Sequence, residues 1–170
     1  MIDILILYIL QESVHTMYGI RKGINDEFSS FTLPSYGTIK PALKRLADLG
    51  YINSQKTMSK GGRPSVYYSI TQGGKKGFKE LLLGPVQDNP VQFLNNSRIK
   101  LYCSEVLDEN EIKTMLSALK LKAESIYLET KRLTEENKNN FYKRIVYDNL
   151  NLEYKNFISL LEGIDRAGRN

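Results

Sequence analysis

The chain has 170 residues, of which 41% are hydrophobic and 25% charged, a size and mix that exclude a disordered or fibrous chain and allow one domain or two small ones. Its longest apolar run, Ile4 to Leu10, is far short of the ~20 residues that cross a bilayer and has no basic segment before it, so no membrane span and no signal peptide are expected and the expected location is cytoplasmic. The net charge of +5 is unevenly placed: residues 1–83 hold 11 Lys and Arg against 6 Asp and Glu, whereas residues 84–170 hold 13 of each, so the first half is the one that would attract a polyanion.

Ile2 to Gln11 is too apolar for a surface helix and predicts a buried first helix, with Asp3 near its start where the helix dipole favours an acid. His15-Thr16 interrupts the pattern. Thr16 suits the N-cap of a second helix, Met17 to Phe28, with Met17, Ile20, Ile24 and Phe28 on one face. After the turn Phe31 to Ser35, the stretch Pro34 to Gly50 carries Ile39, Ala42, Leu43, Leu46 and Leu49 at amphipathic helix spacing. Ser35, Tyr36, Thr38, Lys40, Lys44 and Arg45 must then face elsewhere. Small hydroxylated, aromatic and basic side chains are what a helix needs to lie on a phosphate backbone and reach base edges. Pro41 removes one helical hydrogen bond, leaving two readings, a loose first turn or a kink.

Tyr51-Ile52 opens an expected strand. A basic, Gly-rich loop, Ser59 to Pro64, separates it from a second one, Ser65 to Thr71, in which Val66, Tyr68 and Ile70 alternate with Ser65, Tyr67 and Ser69 as in a strand with one buried face. A fourth helix follows, Lys75 to about Leu83. Gly84-Pro85 and Asn89-Pro90 mark the domain boundary. Beyond it, Pro90 can open a helix reaching about Glu105, and Asp108 to Glu111 fits a capping box at the head of a long helix that passes Leu133. A last helix covers Phe141 to about Leu161.

The fold class expected is mainly α with a small β-hairpin wing: a winged helix-turn-helix DNA-binding domain at 1–83 and an α-helical dimerisation domain at 84–170. The long helices of the second half must bury their stripes on each other or on a partner. DNA sites read by helix-turn-helix proteins are commonly two-fold symmetric, so Phe141, Ile145, Leu152, Phe157 and Leu161 are the dimerisation candidates. A self-contained three-helix bundle is the alternative.

The residues His15 to Ile20, Pro34 to Leu46 (PSYGTIKPALKRL), Leu49-Gly50-Tyr51-Ile52, Gly61 to Thr71 (GGRPSVYYSIT) and Gly74 resemble the PadR family of transcriptional regulators. The resemblance spans nearly all of residues 1–80. The second half is similar, in length and helix pattern only, to the dimerisation region of the phenolic-acid-repressor and virulence-activator branch. The resemblance implies a homodimeric winged-helix regulator, usually a repressor, often relieved by a small molecule. It implies that Ser35, Tyr36 and Thr38 stand at the DNA-reading positions, and that Lys60, Gly61, Gly62 and Arg63 reach the minor groove or backbone. Lys40 departs from the pattern, because the family commonly has an aromatic residue there.

The candidate DNA contacts are therefore Tyr18, Ser35, Tyr36, Thr38, Lys40, Lys44, Lys60, Gly61, Gly62 and Arg63, with double-stranded DNA and a second copy of the chain as partners. Tyr18 would act beside the N-terminus of the second helix. Phe93, Tyr102, Tyr127, Phe141, Tyr147, Tyr154 and Phe157 are either dimer core or the lining of a pocket for a small aromatic effector. A single His15 and a single Cys103 allow no disulfide and no metal cluster, and no nucleophile or phosphate loop of the right spacing is present. No cofactor is expected, and an enzyme has no support. A protein-interaction module on a winged-helix scaffold is the competing reading, which the charge split disfavours.

Overall fold

The computed structural model describes residues 1–58, 62, 64–86 and 89–167, with the backbone alone at Pro90 and Val91. The elements are α1 (Ile2–Glu12), β1 (His15–Thr16), α2 (Met17–Phe28), α3 (Tyr36–Asp48), β2 (Ile52–Met58), β3 (Pro64–Ile70), α4 (Gln72–Leu83), α5 (Pro90–Tyr102), α6 (Glu109–Glu136) and α7 (Phe141–Ala167), with a 3₁₀ turn at Ser104–Val106. They form two compact units, Met1–Gly84 with Asn95–Val106, and Pro85–Leu94 with Leu107–Asn170.

In the first unit α1 is the centre. It packs against α2, α3, α4 and β3, and Ile4 to Leu7, Ile9 and Leu10 are all buried. Ile20, Ile24 and Phe28 of α2, Ile39 and Leu46 of α3, and Phe78 and Leu82 of α4 are buried in the same unit. Thr16 caps α2 by accepting from the Gly19 amide at 3.1 Å, and Thr71 caps α4 by accepting from the Gly74 amide at 2.9 Å. That cap starts α4 three residues before the expected Lys75.

The end of α3 is a paired hydrogen-bond stop. The Gly50 amide donates to Ala47 and the Tyr51 amide to Leu46, both at 2.9 Å. The geometry needs a left-handed residue after the cap, and Gly50 supplies it at φ +69°. Because the helix stops at Asp48, Leu49 falls off the apolar stripe that its spacing suggests and is exposed.

The sheet order is β1-β3-β2, antiparallel throughout. His15 pairs with Tyr68 and Thr16 with Tyr67, so the pair that interrupts the helical pattern is itself a short strand. The expected buried face of β3 is not there: Val66 is exposed, and Tyr67, Tyr68 and Ile70 are half-buried. α1 and α2 reach β3 and cover it only in part, which leaves these side chains half in water.

The last part of α5 belongs to the first unit. Tyr8, Phe28 and Tyr102 form an edge-on aromatic cluster with ring centroids 4.7–5.8 Å apart. Lys100, 2% exposed, donates its ammonium to the Leu82 carbonyl at 2.9 Å and to the Gly84 carbonyl, which satisfies the open end of α4.

The second unit is built on the antiparallel pair α6 and α7. Asp108 opens α6 with a complete capping box: its carboxylate accepts from the Asn110 and Glu111 amides, and Glu111 accepts from the Asp108 amide at 2.8 Å. Met115, Leu116, Leu119 and Ala123 of α6 are buried, as are Tyr154, Phe157 and Leu161 of α7. Phe93 packs edge-on against Phe157 and parallel to Tyr154, at 6.1 and 6.2 Å. Thr130 donates to Asn151 at 2.7 Å, and Asn151 donates to Thr134 at 2.9 Å, a polar link that fixes the register of the two helices. No helix among the described residues is long and apolar enough to cross a membrane.

Candidate nucleic-acid interface

The amphipathic split of α3 creates the candidate surface. Ile39, Ala42, Leu43 and Leu46 turn inward. Ser35, Tyr36, Gly37, Thr38, Lys40, Pro41 and Lys44 are exposed. Ser35 is the N-cap rather than a free contact: its hydroxyl lies 3.3 Å from the Thr38 amide and 3.2 Å from the Thr38 hydroxyl. Two of the candidate hydroxyls therefore hold each other at the head of the helix, where the first-turn amides and the helix dipole favour an anion. Pro41 lies inside the continuous helix. Its ring replaces the amide that would have bonded to Gly37 and faces solvent.

Lys40 and Lys44 are four residues apart on one face and have no ion pair among the described residues. Arg45 differs. Its guanidinium grips the two Asp3 carboxylate oxygens, with Nε 3.1 Å from Oδ2. The bond and the charge of Asp3 hold the guanidinium firmly protonated, and α3 is tied to the start of α1. The third cation of this helix is thus committed to the fold.

Tyr18 is 67% exposed in the first turn of α2. Tyr36 is 38% exposed, and the Arg21 guanidinium lies 4.6 Å from its ring centre. Arg21 also donates from Nε to the Pro34 carbonyl at 3.2 Å. Nothing in the local sequence marks Arg21 as functional. Its only local signal is its place beside the Ile20 and Ile24 stripe, while both of its partners lie across the turn.

In the wing, seven cross-strand pairs run from Ile52–Ile70 to Met58–Pro64. From Asn53 to Met58 every residue of β2 is exposed, so both faces of this strand are open. Gly62 adopts φ +73°. Lys60, Gly61 and Arg63 lie outside the described residues.

The dimerisation candidates divide. Phe157 and Leu161 are buried within the second unit, at 3% and 1% exposure. Phe141, Ile145 and Leu152 are exposed, with Leu121 and Leu128 of α6. Among the described residues no cluster of three or more His, Cys, Asp or Glu could hold a metal.

A helical core, a helix with an exposed hydroxyl, aromatic and lysine face, and a hairpin whose β2 strand is open on both faces from Asn53 onward make up the winged helix-turn-helix of a DNA-binding regulator. Residues 6–80 match the family model of the transcriptional regulator PadR-like family, and through this segment the chain belongs to that family. Similar solved structures include a PadR family transcription regulator from Clostridium difficile R20291, with 32% identity over 47% of this chain and 81% of that one, TM-score 0.42. Bacillus subtilis PadR in complex with operator DNA matches with 21% identity over 97% and 96% of the two chains, TM-score 0.47. The same protein in complex with p-coumaric acid matches with 20% identity over 99% of each, TM-score 0.43. No curated protein matches the sequence.

Proposed function

We propose that the chain acts in the cytoplasm as a homodimeric repressor, each copy laying α3 in one major groove of a two-fold symmetric operator with the wing beside it. The observation that carries this is the bare face of α3, where Tyr36, Thr38, Lys40 and Lys44 are exposed above a fully buried apolar stripe. Tyr36 and Thr38 would meet base edges or sugars, and the lysines and Tyr18 phosphates. Phe141, Ile145 and Leu152 support the dimer, because α7 leaves these large apolar side chains uncovered in the single chain. The two copies of α3 would then stand about 34 Å apart, or a multiple of it.

A small aromatic effector is the further part of this proposal. A groove of about 450 Å³ between α6 and α7 supports it, lined by Tyr127, Leu128 and Ile158 with Glu124 and Lys155. Loss of operator binding on titration with a panel of small aromatic acids, and its absence in a Tyr127→Ala variant, would identify the class.

Selection of bound sequences from random duplex DNA tests the main proposal. The expected product is a palindrome with half-sites about one duplex turn apart. Affinity for it should fall steeply between 50 and 200 mM salt, as phosphate contacts require. A protein that selects no sequence, or whose affinity ignores salt and survives Tyr36→Ala combined with Arg63→Ala, would sink it.

A further inference from the structure

We propose that Arg21 is a positioning residue that presents Tyr36 to DNA by clamping the turn between α2 and α3. The inference rests on the DNA-binding reading above and concerns a residue outside the face that reading uses. Arg21 makes two contacts with one planar group. Its Nε donates in the guanidinium plane to the carbonyl of buried Pro34 at 3.2 Å. The group also lies 4.6 Å from the centre of the Tyr36 ring. Ser35, between these two residues, is fixed by its own cap to Thr38. The backbone and ring geometry of Pro34 to Tyr36 is therefore set from α2.

An arginine is required for this. A guanidinium can donate at its edge while attracting an aromatic ring, whereas an ammonium is a point charge on a flexible stem and serves one partner at a time. The clamp adds little to global stability because Tyr36 is well exposed. Its effect is to remove freedom from the ring before binding, and a preorganised contact group binds more tightly for that reason. Arg21 stands three residues after Tyr18, on the same side of α2. The exposed start of α2 and the head of α3 thus act as one surface with Arg21 at the joint. Discrimination at the base pair met by Tyr36 would then depend on a residue that touches no base.

A double-mutant cycle on the full chain, with Arg21→Gln and Tyr36→Leu, decides the point in two readouts. Without DNA, urea unfolding should show non-additive effects, with a coupling of about two- to fivefold in the folding constant. Additive effects overturn the clamp. With DNA, Arg21→Gln and Arg21→Lys should each weaken binding to the selected palindrome about tenfold and to a scrambled duplex less than about twofold, with the salt slope unchanged. Tyr36→Leu should cost less in the Arg21→Gln background than in the parent. If Arg21→Lys binds like the parent while Arg21→Gln weakens both duplexes equally and flattens the salt slope by about one, Arg21 is a phosphate contact and the proposal is overturned. Should the selection return no sequence, the DNA-binding reading falls on that result alone, and the clamp stands or falls on the DNA-free cycle.

Discussion

Lys100 and Cys103 sit three residues apart, both buried, and burial moves them in opposite directions. It lowers the Lys100 ammonium from 10.5 to about 8, because the charged form has lost water. It raises the Cys103 thiol from 9.0 to about 12, with Glu27 and Glu105 adding to the effect. The folded chain sheds the Lys100 proton before the unfolded one does, so the cost of burying that charge fades and stability rises from pH 8 towards 10.5. Cys103 does the reverse: the folded chain keeps its proton, and stability is lost as pH rises from 9 towards 12. In the parent the two oppose each other above pH 9. Cys103→Ala should therefore continue to gain stability from pH 8 to about 9.5, at up to about 1.4 kcal/mol per pH unit, measured as the urea midpoint. A flat profile in that variant would show that Lys100 keeps its proton against the two carbonyls. Below pH 8 neither group titrates in this sense, so the profile there reports on other residues.

At the scale of elements, two helix starts are legible in the sequence and the neighbours of the helices are not. Thr16 and Asp108 announce their helices by local spacing, and both caps form as that spacing predicts. Two-residue β1 has no such signal, since what makes it a strand is Tyr67 and Tyr68 far along the chain. The same holds for Arg45, whose place on the polar face of α3 says nothing of its bond to Asp3 of α1, and for Tyr102 and Lys100, whose partners are Glu27 and the end of α4. Local periodicity finds faces, while charge pairing between elements waits for the fold. Asp3→Asn should cost no more than about 1 kcal/mol, as half-exposed pairs do. By freeing Arg45 on the Thr38 side of α3 it should also tighten binding to scrambled DNA and steepen the salt slope by about one. Gly74→Ala should be far worse, because a Cβ there would lie 2.0 Å from the Tyr51 carbonyl oxygen and 2.8 Å from Ile70. The carbonyl cannot yield without moving the turn that joins α3 to the wing, so a loss of about 2–3 kcal/mol is expected in thermal unfolding.

At the scale of the molecule, the two units carry different physics. The first has a filled core around α1 and a bare polar face. The second is a pair of long helices that bury one side and leave Leu121, Leu128, Phe141, Ile145 and Leu152 in water. Ile145→Glu combined with Leu152→Glu should leave helix content intact and turn the particle into a single-chain species by light scattering, with operator affinity down at least about tenfold. A parent that already scatters as one chain would refute the dimer.

The strand order has a consequence for how such proteins can change. β3 is held on one side by β1 at Tyr67 and Tyr68 and on the other by β2 along its whole length. Its outer rungs, from Val66 to Pro64, pair with β2 alone. The ladder from Lys56–Val66 to Met58–Pro64 is therefore held by a single strand-to-strand seam. It can be lengthened, shortened or recoded in matched pairs while the anchored rungs stay as they are. A designer could exchange wings between relatives at Lys56 and Val66 without touching α3.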